Sequence, residues 1–227
     1  MSLYLWIDVL VLSVPFAVSF HPRSKLYKSW PSLFTAIFLV LIPYIIWDSY
    51  FAQQGYWGFN DAYLSGIFIF HLPIEEWLFF ICIPYACLFT HKSLLTINPK
   101  LSVSPKSTKV LSALIATVLI STVALNTGKA YTAITGLFAL VALGLAFKTE
   151  KKLLGQYYIT FLFMLIPFFI TNGVLTGSFI AHEVVWYNDA ENLGIRLFTI
   201  PIEDVSYAFS LLLFNLLIYT KLTRSRT

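Results

Sequence analysis

The feature that most constrains this chain is a succession of apolar runs, too many and too long for a soluble fold to bury one after another. Seven stretches, about residues 3–20, 32–51, 66–90, 109–126, 131–147, 156–180 and 196–220, are mostly apolar. Each approaches the roughly 20 residues that a helix needs to cross a hydrocarbon layer about 30 Å thick. Of the 227 residues, 58% are hydrophobic and 11% charged, with a mean hydropathy of +0.77, far from a soluble globular balance. The expected fold is an all-α, polytopic membrane protein with seven transmembrane helices. The first twenty residues lack the basic leading segment of a cleaved signal peptide and are read as the first span.

Lys and Arg between the runs test this layout, because cytoplasmic loops carry the positive excess. Loop 21–31 holds three, 91–109 four, 148–155 three and the C-terminal tail three, whereas the N-terminal stub and loop 52–65 hold none and loops 127–130 and 181–196 one each. The alternation places the N-terminus outside and the C-terminus in the cytoplasm. The net charge of +4 therefore marks membrane orientation and not a nucleic-acid surface. Cys82 and Cys87 lie inside one apolar run, where cysteine acts as a small hydrophobe.

The chain repeats itself. Residues 59–76, FNDAYLSGIFIFHLPIEE, align without gaps on 187–204, YNDAENLGIRLFTIPIED, at an offset of 128. Upstream, LIPYIIWD at 41–48 matches LIPFFITN at 165–172 at an offset of 124, pairing Asp48 with Asn172. Spans 1–3 thus recur as spans 5–7, in a 3+1+3 arrangement of two parallel repeats about an axis along the membrane normal. The expected domains are residues 1–90, a linking segment 91–130 that contains span four, and 131–227. Such an axis should bring Glu75 and Glu203 face to face.

Ionisable groups inside a span are costly and mark function, and each repeat carries a pair: Glu75 and Glu76, then Glu203 and Asp204. Their expected depth is about two turns below the outer interface, with Pro73 and Pro201 marking a kink or helix restart. Neighbours on a helix are about 100° apart, so the members of each pair face different surroundings. Asp48, Asn172, Asn60, Asp61, Asn188 and Asp189 cluster near the outer ends and are candidate substrate-binding residues, although Asn-Asp pairs also suit turns and caps. His71 is unmatched in the second repeat, His21, His91 and His182 suit the interface, and Glu183 and Glu191 suit solvated loops. Among the aromatic residues after the acids (Trp77, Phe79, Phe80, Tyr85, Phe89, Tyr207 and Phe209), Phe79 and Tyr207 are the candidate substrate contacts. Rings facing an acid-lined cavity can stabilise a cation.

No HExxH or clustered His/Cys set, GxGxxG or P-loop is present, so no metal site or cofactor is expected. The Asn-Asp-Ala segments lack the further aspartates of magnesium-diphosphate chemistry, and span seven lacks the lysine a retinal Schiff base requires.

At PIEEWLFFICIPYACLF and PIEDVSYAF the sequence resembles the membrane-integral lycopene cyclase domain family, found as two small subunits in some bacteria and as fused tandem domains in others, in archaea and in fungi. The resemblance covers most of the chain and is to the fused form, without the phytoene synthase that fungal versions append. It implies cyclisation of the ψ-ends of lycopene to β-rings, via γ-carotene to β-carotene, without net redox change, in the cytoplasmic membrane of a prokaryote. It implies Glu75, Glu76, Glu203 and Asp204 as the catalytic acids; Asp204 for Glu and Asn172 for Asp in the second copy make the halves unequal. The chemistry fits: an acid protonates the terminal double bond, a dry site protects the cation, and a base removes a ring proton. A carboxyl of the Glu75/Glu203 cluster is the expected acid, with Glu76 or Asp204 taking the proton back. The implied partners are lycopene and γ-carotene from the lipid phase and membrane lipids, with no nucleic acid; a homo-oligomer or association with other carotenoid enzymes is left open. The rival reading is a small proton-coupled transporter on the same 3+1+3 plan, disfavoured by the scarcity of hydroxyls and amides in the outer halves. A purely structural subunit would leave four intramembrane carboxyls unexplained.

Overall fold

The computed structural model describes residues 2–225, and over them the chain is mostly helical. Seven helices run in order: α1 (Leu3–Val18), α2 (Trp30–Gln54), α3 (Ile74–Ile97), α4 (Pro105–Leu125), α5 (Ala130–Thr149), α6 (Lys151–Leu175) and α7 (Glu203–Arg224). Of these, α2 to α7 are long and apolar enough to cross a membrane, whereas α1 is apolar but has 16 residues, about 24 Å of helix. Helix starts follow the local chemistry: the Ser2 and Ser104 side chains cap α1 and α4 by accepting from Leu5 and Ser107 N–H, and Pro105 opens α4 where its missing N–H costs nothing.

Three two-stranded ribbons depart from the all-α expectation. β2 (Phe68–Ile69) pairs with β3 (Leu72–Pro73), and β5 (Arg196–Leu197) with β6 (Ile200–Pro201), each antiparallel. Spans three and seven therefore begin at Ile74 and Glu203, not at 66 and 196, and span six ends at Leu175 instead of 180. Hydrophobicity alone does not distinguish an apolar hairpin from the first turns of an apolar helix. Proline holds the preceding residue extended, and the turns place Phe70, His71 and Phe198 at φ of 51°, 64° and 58°. Gly66 and Gly194, also left-handed at φ 84° and 70°, stand at equivalent places where a side chain would be strained. Pro73 and Pro201 thus mark helix starts.

The third ribbon joins the repeats. β1 (Trp57–Phe59) pairs with β4 (Val185–Tyr187) in the register Trp57 with Tyr187, Gly58 with Trp186 and Phe59 with Val185. At the offset of 128, Gly58 and Trp186 are equivalent residues and the flanking pairs are images of each other. A local twofold axis therefore passes through the Gly58–Trp186 pair. The next backbone bonds obey it too: Asn60 N–H donates to Val184 O and Asn188 N–H to Tyr56 O, both at 2.9 Å. Helix packing follows the same relation, α1 on α3 as α5 on α7, and α2 on α7 as α6 on α3.

Most of the core is apolar and lies along α2, α3, α5, α6 and α7 around Leu33, Tyr157, Leu154 and Leu213. Nearer the ribbon, a second cluster is aromatic, with Tyr44, Trp47, Phe51, Trp57 and Phe80. Phe68, Phe70, Leu197 and Phe198 of the two outer hairpins are exposed, as are many apolar side chains along α1, α2, α4 and α6, the surface a lipid-facing protein presents.

Candidate active site

Beneath the β1–β4 ribbon lies a cavity of about 280 Å³, walled chiefly by α1, α3, α6 and α7. Its inner part is apolar, with Val11, Ile83, Phe161, Met164 and Leu212. Its polar end gathers Asp48, Glu76, Asn172 and Asp204, the sequence-derived candidates that share one chamber, and Phe79 and Tyr207 line it as well. No Lys, Arg or His is among its described lining residues.

Each cavity carboxyl holds at least one tyrosine hydroxyl. Tyr4 O–H donates to Glu76 Oε2 at 2.6 Å. Tyr207 O–H lies 3.1 and 3.0 Å from the two oxygens of Asp48. Asp204 accepts from Tyr131 at 2.5 Å, from Tyr187 at 3.1 Å and from Asn172 Nδ2 at 3.5 Å. The carboxyls are buried, Asp48 at 2% exposure and Asp204 at 3%. The donors come from distant elements, Tyr4 from α1, Tyr131 from α5 and Tyr187 from β4, so the tertiary fold alone assembles these pairs.

Glu75 and Glu203 are placed differently from the expectation that they face each other across the axis. Glu75 Oε1 accepts from Ser2 Oγ at 2.6 Å and Ser65 N–H at 2.7 Å. Glu203 Oε1 accepts from Thr132 Oγ1 at 2.6 Å and Leu193 N–H at 2.7 Å. Each ties the segment ahead of its hairpin to the first helix of its own repeat, and neither lines the cavity. The reason is helix phase: both pairs sit at the first turn of their helices, where a rotation of about 100° per residue turns the second acid inward.

The outer amides and aspartates also stand outside the cavity. Asn60 and Asn188 accept from Ala62 and Ala190 N–H at 3.1 Å, forming turns. Asp61 is exposed, and Asp189 pairs with Arg196 at 2.6 Å; that guanidinium holds the Asp189 carboxyl below the usual range. His71 is exposed in its hairpin turn. His91 is buried rather than interfacial, 2.8 Å from Thr160 Oγ1. Glu191 is not merely solvated, since its Oε2 accepts from Ala130 N–H at the start of α5. Among the described residues no group of three or more His, Cys, Asp or Glu side chains is placed to hold a metal ion.

Reading by repeats also passes over Asp8. It is a buried carboxyl of α1, but the equivalent tyrosines Tyr4 and Tyr131, which hold Glu76 and Asp204, are 127 residues apart, and 127 residues on from Asp8 stands Thr135, so the second repeat has no matching acid. The signal that finds it is an acid inside an apolar run.

Two stretches of the chain, residues 1–94 and 128–222, match a family model described as lycopene cyclase. No curated protein and no solved structure gives a significant match. The family match covers both halves of the repeat and contains every carboxyl of the cavity; with most of the sequence so accounted for, this chain belongs to the lycopene cyclase family, as a two-repeat membrane member.

Proposed function

We propose that the chain is a lycopene β-cyclase, closing the ψ-ends of lycopene to β-rings through γ-carotene to β-carotene. The observation that carries this reading is the meeting, in one aromatic and apolar cavity, of carboxyls from both repeats with no basic side chain beside them. Three neighbouring carboxyls buried without cations are costly to ionise together, which suits a site that stores a proton for delivery to carbon.

Glu76 is the proposed acid and Asp204 the proposed base. Glu76 holds one tyrosine donor, whereas Asp204 accepts three hydrogen bonds, a pattern that suits a carboxylate. Glu76 protonates the terminal double bond, and the cation closes on the next double bond of the chain. Asp204 then takes a ring proton. One proton enters and one leaves, so the change is an isomerisation, and Asp48 with Tyr207 completes the lining. The negative faces of Phe79 and Tyr207 suit the passing cation. The roles of Glu75 and Glu203 are to fix the hairpins.

In this reading seven helices span the cytoplasmic membrane in two parallel repeats of three with α4 between them, the N-terminus outside and the twofold axis along the membrane normal. A cavity of about 280 Å³ is small beside the usual ligand pockets of about 300–1,000 Å³ and suits one end group, the rest of the polyene staying in lipid. α1 and α6 flank the cavity without packing closely on each other, which makes the gap between them the proposed way in. The equivalent groove between α2, α5 and α7 is filled. Trp47, standing where the second repeat has Thr171, packs 4.9 Å from both Phe138 and Tyr207. One working cavity therefore serves two repeats.

Expression in a lycopene-accumulating bacterial host, with pigments separated against authentic γ- and β-carotene, tests the proposal. New cyclic carotenoid that disappears in Glu76→Gln supports it; unchanged lycopene with the protein folded in the membrane contradicts it.

A further inference from the structure

Asp8 is 1% exposed, and neither carboxyl oxygen has a hydrogen-bond partner. It lies one helical turn after Tyr4, whose hydroxyl holds Glu76, on the face of α1 that brings Tyr4, Val11 and Pro15 to the cavity wall. α1 packs along α3, whose first turn carries Glu75 and Glu76, and no Lys, Arg or His is among the described residues that line the adjoining cavity. A buried carboxylate with neither cation nor donor is costly, so Asp8 sits as a neutral carboxyl whose O–H lacks an acceptor. Such an acceptor arises nearby when Glu76 releases its proton.

We propose that Asp8 is a positioning residue for Glu76, its neutral carboxyl donating a hydrogen bond to the Glu76 carboxylate that forms as the substrate is protonated. This rests on the reading of Glu76 as the acid. In the step, the Glu76 O–H bond breaks, its proton joins the CH carbon of the terminal double bond through that bond's electron pair, the cation forms on the dimethyl-bearing carbon, and the negative charge stays on Glu76. Asp8 keeps its own proton. Tyr4 then holds one oxygen of Glu76 and Asp8 the other. Hydrogen bonds to the ionised form make an acid stronger, which an alkene, a weak base, demands. Thr135 in place of an acid at the equivalent position of α5 fits: Asp204, already supplied with three donors, serves as base.

The test compares Asp8→Leu and Asp8→Asn in detergent-purified protein and in liposomes loaded with lycopene. Leu is the apolar isostere, and replacing an unpartnered buried polar group should raise Tm. Its kcat should fall about 100-fold, the usual effect of deleting one donor to a developing charge, with KM unchanged. Asn restores an N–H donor and should recover at least tenfold over Leu. Wild-type kcat in Asp8→Leu overturns the role, as does a loss that follows a lowered Tm and is the same in Asp8→Asn. Absence of any cyclic product from folded wild-type protein overturns instead the functional reading beneath it; cyclisation by wild type and not by Glu76→Gln leaves that reading standing whatever Asp8 does.

Discussion

Substituting the two acids of the first motif one at a time separates anchor from acid. Glu75 uses only Oε1, accepting from Ser2 Oγ and Ser65 N–H, while its Oε2 is buried and unpartnered. In Glu75→Gln the amide oxygen can keep both bonds, and the amide nitrogen takes the place of an atom that bonds nothing. The expected stability cost is about 1 kcal/mol, with cyclisation within about threefold of wild type. In Glu75→Ala both donors lose their acceptor, at about 1–3 kcal/mol each for a buried unsatisfied group. Thermal unfolding should then shift by several degrees, with activity falling only as far as folded protein is lost. Glu76→Gln has the opposite profile. Its amide oxygen still accepts from Tyr4, so Tm should hold, but the transferable proton is gone, and general acid catalysis contributes about 10²- to 10⁴-fold. The assay is initial rate of cyclic carotenoid formation from lycopene in liposomes, read beside Tm. A 100-fold loss in Glu75→Gln at unchanged Tm, or wild-type turnover in Glu76→Gln, would refute the assignment.

Three further outcomes are expected. Because one cavity serves a substrate with two ends, γ-carotene should leave after the first ring, and unlabelled γ-carotene added during turnover should dilute label on its way to β-carotene; undiluted label would mean both rings form in one encounter. Trp47→Ala should cost about 3–5 kcal/mol, since Trp47 packs 4.9 Å from both Phe138 and Tyr207, as measured by Tm in matched detergent; a change under about 1 kcal/mol would show that the second groove is not filled as described. The hydrogen bond from Arg196 depresses the Asp189 carboxyl below its usual value, so its contribution to the second hairpin is present above about pH 4 and lost as pH falls through the lowered value. Protease sensitivity of residues 189–201 should rise on acidification in the wild type, and Asp189→Asn should remove that dependence; equal pH profiles would contradict it.

Much of the architecture was legible because membrane burial writes itself into composition. Apolar runs located all seven helices, with spans three and seven begun seven or eight residues too early, and the offset of 128 located both acidic motifs; the strands that join at Gly58 and Trp186 were not expected. The hairpins were not legible, since residues 66–73 are as apolar as the helix they precede and only the turn geometry at Phe70 and His71 separates them. That uncertainty in helix start hid which acid of each pair turns inward, for a helix begun at residue 66 says nothing of the phase at residue 76. Asp48 and Asn172, matched across the repeats, do reach the cavity, whereas Asn60 and Asn188, matched equally well, serve turns. Repetition records shared structure as readily as shared chemistry. Tyr4, Tyr131 and Tyr187 lie too far from the acids in sequence for any spacing rule to find them, and Asp8 is hidden by having no copy.

The most direct test of the account is to supply lycopene to the purified protein in liposomes and to resolve the pigments by chromatography, with Glu76→Gln and Asp204→Asn beside the wild type. The wild type should form γ-carotene and then β-carotene, at unchanged total carotenoid, and the variants neither at equal Tm. Cyclic product in equal amount from all three proteins would contradict the claim that the carboxyls of this cavity close the ring.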